Sequence, residues 1–100
     1  MAISDVSEKS GWIVVFDDRG KEIKRMVSSN KEVVGVASDF FVLHERGWIV
    51  TYDEDCKEIK RMVDSNKIVR SASGRTFIVL EGNWIVTYDS KCKEQARRVK

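Results

Sequence analysis

His44 is the only histidine of the chain, and imidazole is the side chain best suited to general acid–base catalysis near neutral pH. Such catalysis needs a hydrogen-bonded partner, and the residues around His44 indicate none. Thirty-six positions later, at the equivalent point of a repeat described below, the residue is Leu80. A position that accepts an aliphatic side chain is more typical of a strand residue, so we assign His44 no catalytic role.

Cys56 and Cys92 are the two cysteines, and thiolates can bind zinc or act as nucleophiles. A zinc site needs about four ligands at close spacing. The two cysteines are 36 positions apart, and the chain has one histidine. Lys57 and Lys93 follow them, but a single lysine is weak evidence for an activated thiolate. We therefore expect structural thiols in a reducing compartment, no metal, no cofactor and no enzyme activity.

A tryptophan and an aspartate recur together three times, and they form the candidate ligand-binding set. Its members are Trp12, Trp48, Trp84, Asp17, Asp53 and Asp89. Indole faces beside carboxylates suit sugars or cations. The simpler interpretation is that each tryptophan fills the core between neighbouring repeats and each aspartate forms a turn. In that case Trp48→Ala would destabilise the fold by ~3–5 kcal/mol, as deletion of a buried aromatic does.

These residues belong to a repeat that accounts for most of the chain. Residues 11–46 and 47–82 align without a gap and are identical at 18 of 36 positions, and residues 83–100 begin a third, partial copy. A unit that recurs at fixed spacing packs on its own copies. One hundred residues suit one domain, so we expect residues 1–100 to form a single β-repeat domain.

Within each unit the hydrophobic period is two, which predicts strands. In "WIVTYD" the residues Trp48, Val50 and Tyr52 share one face, and an aspartate turn leads to the charged strand "KEIKRMV". A strand of small residues and an aromatic strand, Val33–Ser38 and "DFFVLHERG", complete the unit. The sequence therefore predicts an all-β fold of four-stranded antiparallel meanders, with about ten strands and almost no helix.

The segment "WIVVFDDRGKEI" resembles the outer-strand hairpins of propeller-blade and tryptophan-glycine type repeat proteins. The wording "WIVTYDxxCKxI", which recurs over residues 11–99, is similar to a phrase found in short bacterial tandem-repeat proteins without an assigned activity. The resemblance implies a repeated β fold and no particular function.

Two arrangements of these meanders are open, a compact barrel or sandwich and propeller-like blades on assembly. We favour the first, because two and a half blades cannot close a ring. The hairpin from Trp12 to Val27 would leave one strand edge unpaired. Residues Ala2 to Ser7, the strand Lys93 to Val99 or a second copy of the chain could cover this edge, and we favour self-association.

The composition restricts the classes of function. The chain is 42% hydrophobic and 34% charged with a net charge of +2, which is typical of a soluble globular protein. There is no leader-like N-terminus and no apolar run of the ~20 residues that a spanning helix needs. We therefore expect a cytoplasmic protein that is not embedded in a membrane.

These observations favour a non-enzymatic protein-interaction or scaffolding module whose partner is a protein or an identical chain. One alternative is a small lectin-like protein that binds carbohydrate through the tryptophan and aspartate set. A second is nucleic-acid binding through the basic residues of the charged strands. It is disfavoured because carboxylates on the same strands offset the positive charge. The residues concerned are Lys24, Arg25, Lys60, Arg61, Arg97 and Arg98, with Glu22, Glu58 and Glu94 beside them.

Overall fold

The computed structural model describes residues 3–100, which form eleven antiparallel strands and no helix. This confirms the all-β prediction. The strands are β1 (Ile3–Lys9), β2 (Trp12–Asp17), β3 (Glu22–Val27), β4 (Lys31–Val36), β5 (Phe40–Glu45), β6 (Trp48–Asp53), β7 (Glu58–Val63), β8 (Lys67–Ser73), β9 (Thr76–Glu81), β10 (Trp84–Asp89) and β11 (Glu94–Val99).

The strands form three separate meander sheets, which we call blades 1, 2 and 3. Blade 1 contains β1–β3, blade 2 contains β4–β7 and blade 3 contains β8–β11, each in sequence order. The innermost strands of neighbouring blades pack on one another, β1 on β4 and β4 on β8. The meanders are thus arranged as propeller-like blades within one chain, and they do not close into a single barrel.

The aspartate turns make the hairpins between the tryptophan strand and the charged strand. In blade 2 the Asp53 Oδ1 atom accepts hydrogen bonds from the backbone N–H of Asp55 at 2.9 Å and of Lys57 at 3.0 Å. Asp17 and Asp89 accept the equivalent pairs of bonds. The aspartates are therefore turn residues, as the simpler interpretation of the sequence predicted.

β1 is the strand that the repeat pattern did not reveal. It pairs with the tryptophan strand β2, with Lys9 opposite Trp12 and Val6 opposite Val15. The unpaired edge from which we predicted self-association through the first hairpin is therefore absent, and that argument was wrong. The alternative that residues Ala2 to Ser7 cover this edge is confirmed for Ile3 to Ser7, which lie in β1, and Ala2 lies outside the described residues. The C-terminal strand β11 pairs with β10 in its own blade and closes no barrel.

The blade boundaries are offset from the repeat boundaries. Residues 28–30 link blade 1 to blade 2, and residues 64–66 link blade 2 to blade 3. A repeat counted from Gly11 or Gly47 therefore ends one blade and begins the next. The period of 36 residues is the same in either frame, because each step along the sequence adds one meander.

The core consists of two layers between the blades. We call the face that carries the tryptophan the front of a blade, and the opposite face its back. The front of blade 2 packs on the back of blade 1, and the front of blade 3 packs on the back of blade 2. The first layer contains Ile3, Val6, Ile13, Val15, Phe41, Leu43, Val50 and Tyr52. The second contains Ala37, Phe40, Val42, Ile49, Phe77, Val79, Val86 and Tyr88.

Specific contacts set the register of the second layer. Phe40 on the back of blade 2 meets Phe77 on the front of blade 3, with ring centroids 6.1 Å apart. The fully buried Thr51 donates its hydroxyl to the Ser90 carbonyl in the turn of blade 3, at 2.6 Å. At the inner strands a Cβ on Gly35 would lie 3.0 Å from the Cβ of Ala72, so glycine permits the close approach of β4 to β8.

We predict that Ile49→Ala and Ile85→Ala, which are equivalent positions of blades 2 and 3, differ in cost. Ile49 is 1% exposed between two blades, so its truncation should lower the free energy of unfolding by about 2–5 kcal/mol. Ile85 lies half-buried on the back of blade 3, so we expect a loss of about 1–2 kcal/mol. Urea melts at low protein concentration measure both values. Equal losses would contradict the assignment of this face as open.

Candidate functional site

The large apolar side chains exposed on the described residues fall almost entirely into one repeated pattern. Six of the seven form three cross-strand pairs, and the seventh is Ile68. The pairs are Trp12 with Val27, Trp48 with Val63 and Trp84 with Val99. Because the pairs occupy equivalent positions of successive blades, we treat them as one repeated set, which we call the Trp–Val row.

The position of each pair within its blade explains its exposure. The tryptophan is the first residue of its strand and the valine is the last residue of the charged strand. The contacts between blades are made further along the same strands, for example by Val50 and Tyr52. The indoles of Trp12, Trp48 and Trp84 remain 39%, 37% and 40% exposed. The expectation that they fill the core was therefore wrong, and the large cost predicted for Trp48→Ala loses its premise.

An arginine lies over each indole. The guanidinium carbon of Arg25 is 5.6 Å from the ring centroid of Trp12, and Arg61 and Arg97 lie 5.4 Å and 5.3 Å from Trp48 and Trp84. These distances are typical of cation–π contacts. Each blade thus presents a tryptophan, an arginine and a valine at the same place.

A glutamate holds each arginine in this position. In blade 2 the Arg61 Nη2 and Nε atoms donate to the two carboxylate oxygens of Glu58, at 2.7 Å and 3.0 Å. This two-point contact fixes the plane of the guanidinium, and the hydrogen bond from Arg61 lowers the pKa of the Glu58 carboxyl. Glu22 and Glu94 make the same contacts in the other blades. The three arginines that lie over the indoles are therefore each paired with a carboxylate.

A tyrosine and a second glutamate lie beside the tryptophan in blades 2 and 3. Tyr52 donates its hydroxyl to Glu45, which lies opposite Trp48 in the sheet, and Tyr88 donates to Glu81. Burial and then the hydrogen bond to Glu45 raise the pKa of Tyr52 far above its ordinary value, so the phenol stays neutral. Blade 1 has a phenylalanine and a lysine at these places. The three clusters therefore share the indole and arginine but differ in local charge.

The surface beside Trp48 is concave. A cleft of about 480 Å³ lies between this indole, the residues that link blades 1 and 2, and the turn before β6. Lys31, Glu45, Arg46 and Arg61 supply charged groups to its walls. The cleft can accept a side chain that needs an apolar surface on one side and polar groups on the other.

The structure does not bring the predicted tryptophan and aspartate sets together. Asp53 is the last residue of the strand that Trp48 begins, and five steps of about 3.3 Å place the two about 17 Å apart. The same separation applies to Asp17 and Asp89 in the other blades. The residue neighbours of each indole are instead an arginine and a valine, which the sequence analysis did not include in the candidate site.

His44 has a partner that the sequence could not indicate. Its Nε2 atom lies 2.5 Å from Asp64 Oδ2, and both side chains are partly exposed. The pair lines a cleft of about 300 Å³ between blades 2 and 3, together with Ile49, Lys67 and Ile68. Asp64 lies 20 positions along the chain, after the charged strand, so only the fold brings it near His44.

Both cysteines are free thiols at the layers between blades. Cys56 packs against the first layer and Cys92 against the second. Burial, followed by the nearby Asp53 carboxylate, raises the pKa of Cys56 to about 11, and burial raises that of Cys92 to about 11. Over residues 3–100, no three His, Cys, Asp or Glu side chains are grouped so as to hold a metal ion.

Comparisons with known proteins support the fold but identify no family and no function. No protein-family model matches the chain, and no curated protein matches it. The crystal structure of BamB from Moraxella catarrhalis, a β-propeller protein, is similar to the whole chain with a TM-score of 0.63 at 13% sequence identity. The chain spans 35% of the BamB chain. Residues 3–100 contain no helix long and apolar enough to cross a membrane.

We predict that all three indoles are accessible to a small neutral quencher. Each is more than a third exposed, so acrylamide should quench the fluorescence as one accessible population with a linear Stern–Volmer plot. Single Trp→Phe variants assign the signals to Trp12, Trp48 and Trp84. A large fraction of fluorescence that resists quenching would contradict the exposed row.

A second prediction concerns the thiols. A rise in pKa from 9.0 to about 11 lowers the thiolate fraction at pH 8 by ~100-fold, and the thiolate is the form that reacts. Iodoacetamide should therefore modify Cys56 and Cys92 at least ~100-fold more slowly in the folded protein than in urea. Mass spectrometry follows each residue. Equal rates in the two states would show that these thiols are neither buried nor suppressed.

Proposed function

We propose that the protein is a non-enzymatic protein-interaction module that binds its partner through the Trp–Val row. The observation that carries the proposal is that, among residues 3–100, six of the seven exposed large apolar side chains form three pairs at equivalent positions of the three blades. Exposed apolar residues scattered singly are common on proteins, whereas exposed apolar residues concentrated at one repeated position are typical of an interaction site.

The composition of the row supports a protein partner. Tryptophan and arginine are the residues most enriched among those that dominate the binding energy of protein interfaces. In each blade the glutamate pair and the cation–π contact hold the arginine in one orientation. A surface held in its binding conformation loses less side-chain entropy when the partner docks. The row is therefore suited to binding without rearrangement.

The spacing between the blades predicts the spacing of apolar residues in a bound peptide. Neighbouring sheets pack about 10 Å apart, which is about three residues of extended chain. A segment in the polyproline II conformation makes one turn in three residues and rises about 9 Å per turn, so an apolar residue at every third position would place one side chain on each Trp–Val pair. Because Glu22, Glu58 and Glu94 neutralise the arginines, apolar contact should dominate over charge. The same pairing argues against a phosphate-binding track.

Two further observations are compatible with this function. The chain is similar in fold to BamB, and this blade arrangement is compatible with an interaction module. The free cysteines pack between blades instead of forming a disulfide, which suits a reducing compartment, and a cytoplasmic location is part of the proposal.

Carbohydrate binding is the second candidate, and the exposure of the three indoles favours it. Aromatic rings that face solvent beside carboxylates suit sugars, and Glu45 and Glu81 lie next to Trp48 and Trp84. An arginine lies over each ring, however, where a sugar would stack. The aspartates proposed as companions of the indoles lie at the other end of the strands. We therefore place this function second.

A linear peptide library displayed on phage and selected on the immobilised protein tests the proposal. We expect enriched peptides to carry apolar residues at a spacing of about three and to bind each single variant, such as Trp48→Ser, at least ~10-fold more weakly, as for loss of a hot-spot residue. Fluorescence polarisation of the synthesised peptides measures the affinities. The matched control is Ile68→Ser, which among residues 3–100 removes the one exposed large apolar residue outside the row.

The outcomes separate the candidate functions. Peptides that bind the triple Trp→Ser variant as tightly as the natural protein would contradict binding through the row, and so would a failure to enrich any peptide. Saturable binding of a neutral glucose or N-acetylglucosamine oligomer that is lost in the triple variant would favour the carbohydrate candidate instead.

A further inference from the structure

The turn between β5 and β6 holds an arginine in a backbone conformation that favours glycine. Arg46 has a φ of 42°, in the left-handed region where a side chain costs strain. The equivalent residues are the small Ser10 of blade 1 and Gly82 of blade 3, with φ values of 51° and 57°. The turn therefore forms without a long side chain, and a strained residue that the fold does not need is typical of a functional position.

A neutral amide holds the Arg46 side chain. Asn30 Oδ1 accepts hydrogen bonds from Arg46 Nη2 at 2.7 Å and from Arg46 Nε at 3.3 Å. The arginines over the indoles each have a glutamate partner, whereas no carboxylate among residues 3–100 pairs with Arg46. The guanidinium is therefore oriented but keeps its full charge, and its remaining N–H donors can form a two-point contact with a carboxylate.

Arg46 supplies an uncompensated charge to the cleft of about 480 Å³ beside Trp48. Two of the other charges in the walls of the cleft offset one another, because Lys31 lies opposite Glu45 in the sheet. Arg61 has its own glutamate partner. The cleft therefore combines an apolar surface, the indole of Trp48, with one positive charge in excess.

We propose that this cleft binds the side-chain carboxylate of an aspartate or glutamate in the partner segment, and that Arg46 is the residue that recognises it. The inference rests on the proposed function and names the chemistry of the partner. Occupation of the cleft would pair the Arg46 charge and cover the indole of Trp48 at the same time. A charge-assisted contact of this kind is stronger than a neutral hydrogen bond.

The walls of the cleft indicate where the acidic residue lies in the partner segment. Ser29 and Asn30 in these walls follow Val27 of the first Trp–Val pair, and Trp48 belongs to the second pair. A segment that contacts both pairs passes the cleft, so the carboxylate comes from a side chain within the segment and not from its C-terminus. With an apolar residue at every third position, the acidic residue occupies one of the two positions between those that contact the first two pairs.

Phenylbutyrate tests the cleft itself, without a peptide. Its phenyl ring can pack on the indole while its carboxylate contacts Arg46, and the uncharged phenylbutanamide is its control. In proton–nitrogen NMR spectra we expect phenylbutyrate to shift the Trp48 indole N–H and the Arg46 Nε–H with a Kd of about 1–10 mM. Phenylbutanamide should bind at least ~10-fold more weakly, because it cannot form the charge-assisted contact.

A matched pair of variants separates recognition by Arg46 from a change in overall charge. Arg46→Gln removes the charge from the cleft and should weaken phenylbutyrate binding at least ~10-fold. Arg75→Gln removes the same charge from the exposed turn between β8 and β9, outside the cleft, and should leave binding unchanged. Equal effects of the two substitutions would overturn recognition by Arg46.

Arg46→Gly distinguishes a binding role from a structural one. This variant places the residue of blade 3 in the turn of blade 2, so the urea midpoint should stay the same or rise as the strain is relieved. Binding of phenylbutyrate should fall at least ~10-fold. A lower urea midpoint together with unchanged binding would show that Arg46 is a structural residue.

Peptides test whether the carboxylate belongs to the segment that binds the row. The probes have leucine at every third position and proline between, such as acetyl-Leu-Pro-Glu-Leu-Pro-Pro-Leu-amide, with one glutamate at each intervening position in turn. At one of these positions glutamate should bind at least ~10-fold more tightly than glutamine, and Arg46→Gln should abolish the preference. A salt concentration of about 1 M should reduce the preference, because it screens the charges.

The outcomes keep this inference separate from the proposed function. Peptides that need the tryptophans but bind equally well with glutamate and glutamine would overturn the carboxylate site and leave the row as the binding surface. Phenylbutyrate binding that depends on Arg46, together with peptides that do not bind, would support the site and contradict the row. An affinity that rises only when a glutamine peptide is given a free C-terminus would overturn the assignment to a side chain.

Discussion

The packing of the front of one blade on the back of the blade before it is the interaction on which the rest of the structure depends. The central strands of blade 2 carry large apolar residues on both faces, such as Phe40 and Phe41. A sheet of this kind cannot face water on either side, so it needs a neighbour on each. Blades 1 and 3 supply those neighbours, and the period of 36 residues is the chain length needed to return each strand to the same place.

This packing also creates the candidate site. Contacts between blades use the middle of the strands, and the ends beside the glycine turns project beyond them. A tryptophan at the first position of its strand is therefore held by the sheet but left partly in solvent, with an arginine from the charged strand laid over it. The exposure follows from position along the strand, since residues on the same face two positions later are buried.

The sequence predicted most of the strands, but it did not predict which residues of other blades lie next to them. Alternating patterns and aspartate turns predicted the meanders, because both are local. The segment that forms β1 was considered only as one of three covers for the first hairpin, because Asp5 and Ser7 stand where the other blades have aromatic or aliphatic residues and the repeat is not recognisable there. Whether Trp48 is buried depends on where the next blade ends, and the Asp64 partner of His44 depends on the chain path. Neither the burial of Trp48 nor the partner of His44 can be predicted from the spacing of nearby residues.

Differences between equivalent residues record which faces have a neighbour. The last turn residue has a positive φ in every blade, a conformation that favours glycine. Blade 1, whose front has no neighbouring blade among residues 3–100, has Gly20 there, with a φ of 77°. Blades 2 and 3 have Cys56 and Cys92, with φ values of 61° and 58°. Cys56 and Cys92 adopt this strained backbone conformation, and their thiols pack against the layers between blades. The substitution pattern thus separates a turn that has no preceding blade among residues 3–100 from two turns whose thiols pack between blades.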